Sequence, residues 1–499
     1  MKKLLLLGSF SLFLTALLSA QSCGTPMLSE FQQARLIAHQ RMIARDGIPQ
    51  RRETQYLPIT FHLIANSAGE GRVDVRDVLS MLCYLNEEFA DLDVQFYISG
   101  LNEFDNNGAY NSAGTATARL EFERDDNAIN IYIANAADTN GGVGLTLAYY
   151  SPQRDWIVTR KDQITANNNT LAHELGHFFS LPHPHNGWDA EPYNENDHGV
   201  QVGSFSPGGV PNEKQDGSNC GTAGDFICDT PPDYNFGFGW DDCTFDDEVL
   251  DPNGDVVDPE ELLHMGYFLS CPSASEYFFS PDQQNLMLAD IASSERNYLD
   301  NSFSPGATEF DAPTPLSPTN GQVLDAYNSV ELKWEGVDGA DFYLLRVSPF
   351  ITLNASVNTI VYGTSKILTD LDPVDTYYWT VKPLNAYGVC HNTRSPTRNF
   401  TTGATVAVEE VAELTAWSVQ PNPATTGQEV LVTIDAARSF EATLQLSDLS
   451  GRAVARTQAL RLSAGKQTHQ IDTNGLSAGV YLLTLRDERG VSRKRIVVQ

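Results

Sequence analysis

Residues 170–185 read TLAHELGHFFSLPHPH, and no other stretch restricts the fold so tightly. His173 and His177 are four apart, so one helical turn brings both imidazoles to the same face. That spacing suits two corners of a tetrahedral Zn²⁺ site. Glu174 lies between them, where its carboxylate can take a proton from a metal-held water. Pro182 ends the helix, and His183 stands six residues after His177, placed to reach back from a turn as third ligand. His185 is the other reading for that ligand, an exposed neighbour being its plainer role. Histidine makes up only 10 of 499 residues, and six of the ten lie between 173 and 264. Scattered surface histidines are therefore a poor account of this spacing.

The rest of the chain must house that helix. Its length allows about three domains. The balance of 64 acidic against 32 basic residues, net −32, excludes a general nucleic-acid binder, which needs a basic face. The excess is uneven: residues 416–499 hold 10 basic and 7 acidic side chains, net +3, leaving −35 for the first 415. The C-terminal segment is a separate compositional unit. Residues 1–20 (MKKLLLLGSFSLFLTALLSA) carry two lysines, an apolar run and small residues at Ser19 and Ala20, the pattern of a secretory signal peptide. The run is too short for a membrane anchor, and no stable membrane insertion is expected.

Export permits disulfides. Cys220, Cys228, Cys243 and Cys271 crowd one loop-rich stretch and should form two bridges, with three pairings open. Cys83 falls on the apolar face of a helical pattern and reads as a buried free thiol. Cys23 follows the signal peptide and precedes Arg51-Arg52, a dibasic site after a short helical stretch. Residues 21–52 thus read as a pro-segment, in which the Cys23 thiolate could occupy the open metal position and enforce latency. Removal with the signal region, pairing with Cys390, or inhibition by an acid such as Glu30 or Asp46 are the competing accounts.

From Tyr56 onward, LPITFHLI, VQFYIS, ARLEFE, AINIYIA and DWIVTR read as strands, and residues 75–90 as an amphipathic helix. This is an α+β domain with a mixed sheet plus the active-site helix, spanning 53–305. Two all-β sandwich domains are expected to follow. One spans 306–403, where Trp334, Tyr343 and LDPVDTYYW are similar to fibronectin type III, with Tyr377 placed like a tyrosine-corner residue. A linker at 404–416 leads to the other, 417–499. A chain ending near Asp311 is expected to fold alone, its core and metal site lying upstream.

The HExxH helix and its third histidine resemble the metzincin zinc peptidases, and among them the pappalysin (cytophagalysin) family. Ser180 stands where that pattern has glycine. GDFICDTPPD (224–233) and HMGYFLSC (264–271) are similar to further family stretches. The second implies a Met-turn with Met265 under the metal, and Tyr267 as a zinc ligand or stabiliser of the tetrahedral intermediate. The resemblance also implies disulfides Cys220–Cys243 and Cys228–Cys271. Asp225, Asp229 and Thr230 offer hard oxygens on one loop; a structural Ca²⁺ and a turn held by aspartates are the two readings. Residues 417–499, from WSVQPNPA to SRKRIVVQ, resemble the sorting domain of type IX secretion cargo, which implies contact with that machinery and a secreted or cell-surface location.

The expected activity is zinc-dependent endopeptidase chemistry on protein or peptide substrates. A zinc-held water attacks the scissile carbonyl, with Glu174 as general base and Tyr267 assisting the oxyanion. The alternative is a surface adhesin or glycan-binding protein on an inactive peptidase scaffold.

Overall fold

The computed structural model describes residues 23–49, 53–137, 146–166, 168–238, 240, 243–268, 271, 276–299, 305–405, 411, 413–449, 451–455, 457–487 and 490–499. The signal peptide and the Arg51-Arg52 site lie outside the described residues. The chain divides into two compact units. The first comprises residues up to 315 with 334–364 and 379–397; the second comprises 316–333, 365–378 and 398–499. The division runs through the stretch 306–403 that the sequence presents as one module.

In the first unit, α1 (Glu30–Asp46) opens on a capping box made by Ser29 and Gln32. It is followed by β1 (Gln55–Ala65), α2 (Val75–Glu88), β2 (Val94–Asp105), α3 (Asn107–Asn111), α4 (Thr117–Glu123), β3 (Ile129–Ala134), β4 (Ala148–Ser151), β5 (Trp156–Arg160), α5 (Thr170–Phe178), α6 (Glu195–His198) and α7 (Pro281–Ile291). The sheet has the order β2-β1-β3-β5-β4. β1, β2, β3 and β5 pair in parallel, and β4 runs antiparallel on the edge. Residues 57–65 of β1 are buried without a break. A parallel strand covered on both faces has no solvent side to alternate with, which is why LPITFHLI is so uniformly apolar.

ARLEFE is a helix, α4, not the expected strand. Its alternation is misleading: Leu120 is fully buried while Phe122 is 78% exposed. An Arg119–Glu123 ion pair one turn apart supports the helix instead.

β6 (Pro315–Ser317), β7 (Gln322–Val323), β8 (Val330–Trp334), β9 (Phe342–Ser348), β10 (Val357–Val361), β11 (Ser365–Leu368), β12 (Thr376–Leu384) and β13 (Arg398–Thr401) follow. β9 and β10 pair antiparallel in the first unit, and most of β12 belongs to it. Phe342, Leu344, Leu384 and Val389 share one buried apolar cluster with Leu79 and Leu82 of α2 and Phe96 of β2. Asn358 donates to Asp74 (2.6 Å), Ile98 N–H donates to Ala386 C=O (3.0 Å), and Tyr97 stacks on Tyr387. Cys83 is joined to Cys390 across 307 residues. This corrects two expectations. Cys83 is not a free thiol, and the core of the first unit does not close upstream of Asp311.

The second unit holds β14 (Leu414–Gln420), β15 (Val430–Ala436), β16 (Phe440–Ser447), β17 (Gln458–Leu462), β18 (Gly465–Ile471), β19 (Gly479–Arg486) and β20 (Val491–Val498). They form sheets of order β14-β15-β18 and β17-β16-β19-β20. Val430, Val432 and Ile434 of β15 point into the same apolar cluster as Leu483 and Leu485 of β19. The intervening residues face outward, the period-2 pattern of a half-covered strand.

Candidate metal centre

α5 is buried along its whole length, with His173 and His177 on one face. It ends in a Schellman turn: Leu181 N–H donates to Gly176 C=O and Ser180 N–H to His177 C=O, both at 2.9 Å. Ser180 takes the left-handed position at φ +72°, where glycine is usual. It gains a partner there, its Oγ donating to Asp290 Oδ1 at 2.9 Å. The turn sends Pro182 and His183 back toward the helix.

The three histidines converge. Their Nε2 atoms form a triangle with sides of 3.1, 3.2 and 2.9 Å. Each Nδ1 meets an oxygen acceptor: His173 the His264 carbonyl (2.6 Å), His177 the Leu181 carbonyl (2.8 Å), His183 Asp189 Oδ1 (2.6 Å). With the proton held on Nδ1, every Nε2 presents a bare lone pair to the same point. Three converging lone pairs repel one another unless a cation lies between them, so the donor set fits zinc.

Cys23 completes the group: its Sγ and the histidine donor atoms all lie within 4.8 Å of one another. Thr25 Oγ1 donates to Glu174 Oε2 (2.9 Å) and accepts from Tyr150 N–H (2.8 Å), while Gly24 N–H donates to Ala148 C=O on edge strand β4 (2.7 Å). Tyr267 OH donates to the Cys23 carbonyl at 3.2 Å. Glu174 is fully buried, and its Oε1 has no partner among the described residues. Burial pushes its carboxyl up to about 7. Burial and the Glu174 carboxylate push the Cys23 thiol up, and burial pushes His173 and His177 down. A cation reverses the first of these, since a ligating thiol loses its proton.

Met265 is buried directly beneath α5. A Cβ on Gly176 would come within 2.3 Å of its Sδ, so only glycine lets the helix settle on the methionine. His185 is not an exposed neighbour: it is fully buried and stacked on His183, with ring centroids 4.6 Å apart. Asp225, Asp229 and Thr230 do not gather round one point. Asp225 accepts from Thr230 Oγ1 and Ile227 N–H, whereas Asp229 accepts from Ser280 Oγ (2.7 Å) and Asp282 N–H (2.8 Å) at the start of α7. This is the turn held by aspartates. Asp225 lies instead beside buried Glu213, whose carboxyl burial and Asp225 push up to about 9. The disulfides are Cys220–Cys228 and Cys243–Cys271, which corrects the pairing implied by resemblance. Sequence reasoning also missed Thr25 and Asp189. Burial and the His183 hydrogen bond oppose each other at Asp189, and the bond wins, bringing it down to about 2. No spacing rule marks an acid six residues after the third ligand.

Residues 418–499 match the family model of the secretion system C-terminal sorting domain. The chain therefore ends in a type IX sorting domain, which directs export across the outer membrane to a secreted or cell-surface location. Among solved structures, the chain is similar to a promirolysin variant of Tannerella forsythia at 15% identity and TM-score 0.36, covering 54% of this chain and 91% of that one. It is also similar to fibronectin(III)-like modules of Clostridium thermocellum CbhA at 11% identity and TM-score 0.15, covering 37% and 92%. No curated protein matches the chain. No helix among the described residues is long and apolar enough to cross a membrane.

Proposed function

We propose that this chain is a zinc-dependent endopeptidase made in a latent form, with residues 23–25 closing the site. The observation that carries the reading is the convergence of three histidine lone pairs beside a buried carboxylate with one free oxygen. His173, His177 and His183 hold the metal, each aimed by the acceptor on its Nδ1. When bound, zinc supplies Lewis acidity toward a water and the scissile carbonyl. Glu174 takes a proton from the attacking water at Oε1 and returns it to the leaving amine. A carboxyl near 7 suits a group that must both accept and donate. Tyr267 OH, once released from the Cys23 carbonyl, donates to the developing oxyanion.

In the latent form Cys23 supplies the fourth donor, Thr25 occupies Glu174, and the Cys23 carbonyl occupies Tyr267. Glu30 and Asp46 give no competing support: both sit on α1, Asp46 paired to Arg45. Cleavage near Arg51 or Arg52 frees all three groups. X-ray absorption of the precursor carrying Glu174→Ala tests the latent state, and a sulfur at about 2.3 Å is expected. A shell of nitrogen and oxygen alone rejects Cys23 and moves suspicion to a carboxylate. Casein digestion by the processed chain should stop with a zinc chelator. No digestion under any condition favours the adhesin on an inactive scaffold.

A further inference from the structure

His264 is a second, unligating histidine built into the centre. Its side chain is fully buried. Nε2 donates to Glu88 Oε2 (2.9 Å) at the end of α2, and Nδ1 is hydrogen-bonded to the side-chain amide of Asn169. Asn169 stands at the start of α5, and its carbonyl accepts from His173 N–H at 3.0 Å. The His264 carbonyl accepts from His173 Nδ1 at 2.6 Å. One residue thus grips the first ligand twice, through its own carbonyl on the ring and through Asn169 on the helix start. The ring of Phe279 packs against the imidazole, with ring centroids 4.4 Å apart.

Without that grip the His173 ring could rotate about its bonds and its Nε2 would leave the triangle. A buried histidine is a costly way to fill space, because both ring nitrogens need partners. Here both have them, and both partners lie on elements that frame α5. We propose that Glu88 and His264 form a positioning relay that fixes the direction of the His173 lone pair and thereby sets metal affinity. The inference rests on the zinc reading and deepens it. His264 is a positioning residue, acting on the metal only through His173.

The test uses the full chain in a Glu174→Gln background, which keeps it whole. Zinc affinity is read by competition with a coloured chelator, ligand geometry by the visible bands of the cobalt-loaded chain, and fold by thermal unfolding of the metal-free chain. His264→Phe keeps the ring packing and removes both bonds. It should lower zinc affinity about 10–100-fold and shift the cobalt bands. Glu88→Ala should move both readouts in the same direction by less, and Glu88→Gln, which retains an oxygen acceptor, should restore them. Unchanged affinity and bands in His264→Phe overturn the proposal, as does a lower unfolding temperature with unchanged bands. Should His264→Phe fail to fold, unchanged affinity and bands in Glu88→Ala overturn it equally. A parent chain that binds neither zinc nor cobalt overturns the zinc reading itself, and the relay with it.

Discussion

The candidate metal centre and the seam that joins residues 342–364 and 379–397 to α2 and β2 are built on opposite principles. The three histidines come from one helix and its exit turn, residues 173–183, so local backbone geometry brings them together. The seam joins residues far apart in the chain: Cys83 to Cys390 across 307 positions, Asp74 to Asn358 across 284. The centre needs particular atoms at particular offsets. The seam rests mainly on apolar bulk and one disulfide, with few specific polar bonds. A chemical site can thus be local and readable while the body that supports it is neither.

The largest effect should come from cutting the seam away. A chain ending at Asp311 loses Phe342, Leu344, Leu384 and Val389 from the shared cluster. Each such deletion costs about 2–5 kcal/mol, and a domain has only about 5–15 kcal/mol to lose. Circular dichroism should show that chain unfolded, whereas one ending at Thr405 stays folded. A soluble, active 311-residue chain would break the comparison outright. Next, Glu174→Gln should keep its zinc and lose about 10²–10⁴-fold in peptidase rate, because the residue moves a proton and does not ligate. Near wild-type cleavage would remove Glu174 from its role.

Replacing Cys83 and Cys390 together by serine should cost about 2–5 kcal/mol in denaturant melts, with zinc affinity unchanged. A coupled loss of zinc would show that seam and centre are not separable. His62 offers a pH test of the seam-side sheet. Burial against Tyr132 pushes it down from 6.5 to about 4. The unfolded chain therefore binds the proton more tightly, and stability should fall as pH drops from about 6.5 toward 4. His62→Gln should flatten that slope; an unchanged slope would assign it to other groups. The smallest effect belongs to Ser180→Ala, which keeps the left-handed strain and loses the bond to Asp290, costing about 1 kcal/mol. Ser180→Gly trades that bond for relief and should sit near wild type.

The sequence by itself determined the parts governed by short-range periodicity. Four-residue spacing put His173 and His177 on one face, and Pro182 marked the end of the helix. Glu174 was legible from its place between the two histidines, and Met265 only through the resemblance of HMGYFLSC to a Met-turn. ARLEFE failed because six residues fit either period; burial of Leu120 and the Arg119–Glu123 pair favour the helix. Only tertiary structure decided the cysteine pairs, since any of the permitted pairings satisfies the same spacing. It alone carried Thr25 to Glu174 across 149 positions and placed Glu88 and Asn169 on either side of His264. It also drew residues 342–364 and 379–397 into the core of the first unit. Those contacts depend on which surfaces meet when elements pack. No residue's neighbours in sequence encode that meeting, because burying apolar area is indifferent to where along the chain it comes from.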